Sequence, residues 1–127
     1  MAKAQAKAES QSAASGEVIA QLRHLAQQYL VHCFLYYRLN DPVAGDDAFD
    51  RIATDLRKLR QAYPKAEMPH AAVIDPVLGP EVSGFQIRNY PPEIISAAFK
   101  LLYAVNRPAV DFVEFVERRG YNAQMGA

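Results

Sequence analysis

The apolar positions of this chain fall into three separate periodic blocks. Ile19, Leu22, Ala26, Tyr29, Cys33 and Tyr36 recur at steps of three and four residues, the spacing of one helical face. They predict a long first helix over about 17–39, with Tyr36 on its buried side and Tyr37 more exposed beside it. The segment "NDPVAGDD" ends that helix, because Pro42 disfavours helix at Asp41 and Gly45 is free to turn. Gly45 or Asp46 can cap a second helix. Its stripe is Phe49, Ile52, Leu56, Leu59 and Tyr63, with Asp55, Arg57, Lys58 and Arg60 outside it, and Pro64 terminates it.

Residues 64–90 carry prolines and glycines without either regular period, and "AAVI" is the one place where a short extended piece is expected. A connection of this length in a small domain is usually functional or packed as a lid. Periodicity resumes at "NYPPEIISAAFKLLYAV", with prolines in the opening turn and Ile95, Ala98, Leu102 and Val105 as the buried face. A last helix starts at "NRP", buries Ala109, Phe112, Val113 and Val116, and ends at Gly120. The expected fold class is therefore all-α: a helical hairpin plus two C-terminal helices, joined by a long proline-rich connection. Residues 1–15 contain no large apolar side chain beyond the initial methionine and read as a disordered tail. Residues 16–127 read as one helical domain, divided into the hairpin at 16–64, the connection at 65–90 and the helical pair at 91–120.

Composition narrows the function classes. Fourteen basic residues balance fourteen acidic ones, so no global field draws the chain to nucleic acid or to an anionic membrane. No apolar run reaches the roughly 18 residues of a membrane span. A lone cysteine among 127 residues excludes an intramolecular disulfide and a cysteine-based zinc site, and it fits a reducing, cytoplasmic setting. His24, His32 and His70 form no spaced ligand set, so no metal is expected. Cys33 lies in the apolar stripe and reads as a buried structural thiol.

The candidate chemistry lies in "YYRLNDPVAGDDAFDR", residues 36–51. Asp46, Phe49 and Asp50 stand at i, i+3 and i+4, so two carboxylates bracket one ring on a single helical face. A hairpin brings Tyr36 and Tyr37 toward them. Carboxylates accept hydrogen bonds from ribose hydroxyls, and aromatic faces stack on flat heterocycles, more strongly on cationic ones. Acidic residues also favour a helix's first turn, where they complement its dipole. Both readings of Asp46 and Asp50 stand at this point, as do core packing and ligand stacking for Tyr36 and Phe49.

The run "YYRLNDPVAGDDAFDRIATDLRKLRQAYP" resembles domain Ia, the small N-terminal helical domain of bacterial NAD-dependent DNA ligases. The resemblance covers about 25–64 well and "DPVLGPEVSG" weakly. It implies a site for NAD, or its nicotinamide mononucleotide half. Tyr36 and Tyr37 match the family's aromatic pair, Asp46 and Asp50 its two aspartates, and Phe49 its tyrosine. Phe49 lacks that tyrosine's hydroxyl, which removes one hydrogen bond worth roughly 0.5–1.5 kcal/mol. The family's nucleophile sits in a Lys-x-Asp-Gly motif, and none of the lysines here does. The chain is therefore expected not to be a ligase by itself, but a non-catalytic nicotinamide-nucleotide-binding protein of phage or prophage type. Alternatives are an adaptor that keeps the hairpin as a scaffold and contacts a host or phage protein through its C-terminal helices, and an enzyme acting at the nicotinamide bond with Asp46 or Asp50 as base. Arg38, Arg51 or Arg88 would meet a phosphate in the cleft.

Overall fold

A computed structural model describes residues 14–79 and 83–122. All regular elements among the described residues are helical: α1 (Gly16–Cys33), a π-helical turn (Phe34–Arg38), α2 (Asp46–Ala62), a single-turn α3 (Ala71–Ile74), short 3₁₀ turns (Asp75–Val77 and Gly84–Gln86), α4 (Pro92–Asn106) and α5 (Phe112–Glu117). The expected tail falls almost wholly on 1–13, outside the described residues. Ser15 caps α1, its hydroxyl accepting from Val18 N at 3.2 Å.

α1 lies against both α2 and α4 and buries Leu22, Ala26, Tyr29, Leu30, Val31 and Cys33. At Phe34 its hydrogen bonding widens: Leu39 N donates to Phe34 O five residues back, so the last turn holds one extra residue. Asn40 then takes the left-handed conformation at φ 52°, and Asp41 N donates to Leu35 O, six residues back, at 2.8 Å, which closes the widened turn. The left-handed residue is therefore Asn40 and not Gly45, which is extended (φ −69°, ψ 167°) as the N-cap of α2.

The described residues of the connection contribute to the core. Ala66, Met68, Ile74, Val77, Leu78, Ile87 and Tyr90 are buried along it. Two arginines of α2, expected outside the stripe, hold it down. Arg60 makes a two-pronged pair with Asp75, both bonds 3.0 Å, and donates to Ala66 O at 2.7 Å. Arg57 Nε donates to Leu78 O at 2.8 Å. Carbonyls that no helix or strand partners must be satisfied when covered, and a guanidinium fork satisfies several at once. "AAVI" is one α-helical turn and not an extended piece: Val73 N and Ile74 N both donate to His70 O.

The C-terminal helices differ from expectation in phase. α4 starts after Pro91 as expected, but its buried face is Ile94, Ile95, Ala98, Phe99 and Leu102, leaving Val105 more than half exposed. α5 begins only after Asp111, whose carboxylate accepts from Glu114 N at 2.9 Å. It buries Phe115 and Val116, while Ala109 and Val113 are exposed. The later start follows from capping: Asp111 offers an acceptor to the orphan N–H groups and Pro108 offers none. Gly120 does take the left-handed conformation, φ 82°.

Phe34 joins the two halves. Its ring meets Tyr90, Phe99 and Tyr121 edge-on at centroid distances of 5.2, 5.8 and 5.5 Å. Beside it, Arg119 pairs with Asp41 of the hairpin turn at 3.3 Å and lies over Phe115.

Candidate functional site

The π turn decides how the two tyrosines are presented. In an unbroken α-helix Tyr36 would continue the buried stripe. The extra residue in the turn rotates that stripe, so Phe34 and Leu35 are buried, Tyr37 packs partly against the core and Tyr36 is 38% exposed. The expected exposures of Tyr36 and Tyr37 are thus exchanged.

Tyr36 and Phe49 lie in nearly parallel planes, 7° apart with centroids 5.7 Å apart, and Tyr29 continues the parallel set beyond Phe49 at 6.2 Å. Tyr37 stands edge-on to Tyr36 at 4.9 Å and to Phe49 at 6.3 Å. The hairpin therefore brings together Tyr36, Tyr37 and Phe49. Phe49 is half-buried with Tyr29 packed against it, and Tyr36 is the exposed member of the set.

Asp46 and Asp50 are both exposed, Asp46 at the first position of α2 and Asp50 one turn later. Asp50 is close enough to act on Tyr37. Burial is the main cause holding the Tyr37 phenol above its ordinary value, with Cys33, Tyr36 and Asp50 adding to it and hydrogen bonding to Ser83 opposing. Among the described residues Asp46, Arg51 and Arg88 make no ion pair or side-chain hydrogen bond. Arg38 is engaged: its Nη2 donates to the carbonyls of Ile87 and, at 3.4 Å, Phe85.

That engagement brings in a segment that periodicity missed. Residues 83–87 fold against the tyrosines. Phe85 is edge-on to Tyr37 at 5.8 Å, and Ser83 Oγ accepts from Phe85 N at 3.2 Å. Gly84 is buried so closely that a Cβ there would collide with Cys33 Sγ and lie 3.3 Å from Tyr29 Oη and Tyr37 Cε2. In sequence this segment shows a Ser-Gly-Phe triplet in a stretch without period, at the end of the weakly resembling "DPVLGPEVSG".

Beneath Tyr37 lies a buried polar cluster. Tyr29 hydrogen-bonds to Cys33, and the Tyr90 hydroxyl is buried with no partner among the described residues. Burial pushes the Cys33 thiol up to about 12 and raises the Tyr29 and Tyr90 phenols as well. These groups fold in their neutral forms, and each has a higher pKa folded than unfolded. Their contribution is full below the ordinary thiol value of 9.0 and is lost as pH rises toward 12. The urea midpoint should accordingly be flat around neutrality and fall from about pH 9 upward. A midpoint constant to about pH 10.5 would contradict the buried cluster.

A groove of 810 Å³ lies at the far end of the hairpin between Glu17, His24, Leu25, Asp55, Lys58 and Leu59. Among the described residues no three metal-ligating side chains cluster, and no helix is long and apolar enough to cross a membrane.

Residues 15–71 match the family model described as the DNA ligase-like, N-terminal NAD+-binding domain. Curated relatives include the DNA ligase of Thermotoga maritima, 31% identical over 80 residues, which is 63% of this chain and 12% of the ligase. Another is the DNA ligase of Chloroflexus aurantiacus, 33% identical over 78 residues, covering 61% of this chain and 10% of that protein. A Psychrobacter DNA ligase is 34% identical over 58 residues, 46% of this chain and 8% of the ligase. The chain thus spans only about an eighth or less of the length of these relatives. No solved structure matches.

Proposed function

Residues 15–71 form a ligase-Ia-like segment, and from that premise we propose that the chain binds a nicotinamide nucleotide, NAD or nicotinamide mononucleotide, without turning it over. One observation carries this reading. Within the matched segment, the exposed ring of Tyr36, the half-buried rings of Tyr37 and Phe49 and the nearby Asp50 carboxylate meet at the hairpin mouth. The rings offer faces and edges to a flat heterocycle, and Asp46 and Asp50 accept from ribose hydroxyls. The Cys33 thiol beneath the rings is buried and its pKa is raised, so it stays protonated near neutrality, and we read the site as one of binding and not of catalysis. A phage- or prophage-encoded protein in the host cytoplasm that senses or sequesters the nucleotide fits such a module.

Calorimetry with NAD, nicotinamide mononucleotide and AMP tests it. Heat is expected for the two nicotinamide ligands and not for AMP. Asp46→Ala/Asp50→Ala should weaken binding by about 10- to 100-fold, the worth of about one hydrogen bond to a charged acceptor. No heat for either nicotinamide ligand at millimolar concentration would sink the reading.

A second reading, an adaptor using the hairpin as a scaffold, is favoured by Val105 and Val113, 55% and 50% exposed on the C-terminal helices. Deleting 107–127 would not test it cleanly, because Phe115, Val116 and Tyr121 are packed into the core. Val105→Glu and Val113→Glu leave that packing in place. Loss of a partner with these changes but not with the aspartate changes would favour the adaptor.

A further inference from the structure

We propose that Phe85 is a specificity-determining residue of the nucleotide site, supplying from the connection between α2 and α4 an aromatic face that responds to the positive charge of the oxidised nicotinamide ring. The proposal rests on the nucleotide-binding reading above and adds to it a residue that the family match, ending at residue 71, does not reach.

Phe85 is 57% exposed, the most exposed large apolar side chain among the described residues. Keeping a phenyl ring in water forgoes part of the stabilisation that burying it would contribute. Yet the segment carrying it is firmly held. Ile87 N donates to Gly84 O at 3.0 Å, Ser83 Oγ takes the Phe85 N–H, and Arg38 reaches across from the hairpin to the carbonyls on both sides of Gln86. Gly84 lets the segment press against Cys33 and Tyr37. An exposed ring on a fixed backbone presents a preformed surface and loses little freedom when a ligand covers it.

Its position ties it to the hairpin mouth. Tyr37 is edge-on to Phe49 at 69° and to Phe85 at 68°, so rings from two distant parts of the chain converge on one phenol. The Arg38 guanidinium carbon lies 5.9 Å from the Phe85 ring centre. A mononucleotide with a cationic ring and an anionic phosphate matches this pairing, the ring against an aromatic face and the phosphate toward the arginine. A neutral ring would gain the apolar contact but not the charge–quadrupole attraction.

Oxidised nicotinamide mononucleotide and its reduced form, whose ring carries no charge, separate these contributions when titrated calorimetrically into the full chain carrying Phe85→Ala, Phe85→Leu or Phe85→Tyr. Phe85→Ala and Phe85→Leu should weaken the oxidised ligand by about 3- to 10-fold and the reduced one by less than about 2-fold, with Phe85→Tyr close to wild type. Undiminished binding of the oxidised ligand by Phe85→Ala overturns the proposal while leaving the nucleotide reading intact. Equal losses for both ligand forms, restored by leucine, also overturn it, because the ring would then be packing alone. Absence of binding by the wild type overturns both.

Discussion

Replacing Phe34 by alanine should cost about 3–5 kcal/mol of stability, the loss typical of a buried phenylalanine. Urea unfolding of the wild type and of Phe34→Ala, followed by far-ultraviolet circular dichroism, measures it. The reason lies in what the ring connects. Phe34 is 1% exposed and touches Tyr90, at the end of the connection, Phe99 of α4 and Tyr121 beyond α5. Three edge-on contacts disappear together, and Phe99 and Tyr121, 5.2 Å apart, lose the surface both rest on. Phe34→Leu keeps the apolar volume but not the ring edges, so it should recover about half of the loss. A cost below about 1 kcal/mol for Phe34→Ala would mean that the hairpin and the C-terminal helices are less interdependent than the packing shows.

Gly84→Ala should be the most damaging single-methyl change outside the helices, about 2–3 kcal/mol, the upper part of the usual overpacking range. The new Cβ would overlap Cys33 Sγ, and Cys33 is 0% exposed with nowhere to swing. Either the 83–87 turn lifts away, drawing Phe85 from Tyr37, or the sulfur is forced into Tyr29. Removing the sulfur tests the cause. Gly84→Ala should cost much less in a Cys33→Ala background, although Tyr29 Oη and Tyr37 Cε2 at 3.3 Å still resist. Equal costs in both backgrounds would place the damage elsewhere.

How much of this could be read from the sequence depended on whether a local period carried the information. The stripe Leu22, Ala26, Tyr29, Cys33 was legible because those residues repeat at helical spacing and one face of α1 is buried. The run from Asp46 to Ala62 was legible because Gly45 and Pro64 mark its ends. The exposures of Tyr36 and Tyr37 were not, since a π turn alters the phase without altering the composition. Arg57 and Arg60 were placed only outside the apolar stripe, because a helical projection cannot show carbonyls that arrive from 66–78. Phe85 was invisible for the same reason: its neighbours, Tyr37 and Arg38, are nearly fifty residues away in sequence. The ring cluster of the hairpin could be anticipated within one helical turn, whereas its wall from the connection depends on tertiary structure.

The widened turn at Phe34–Arg38 also has the form of a one-residue insertion absorbed inside a helix. Excising one residue there would let the hydrogen bonds return to the ordinary α pattern, with no loop left over to remove. Tyr37 would inherit the place in the helical order that Tyr36 now holds, and Asn40 would move up to the position of Leu39. In this chain a single codon of length separates a tyrosine packed toward Cys33 from one turned to the water.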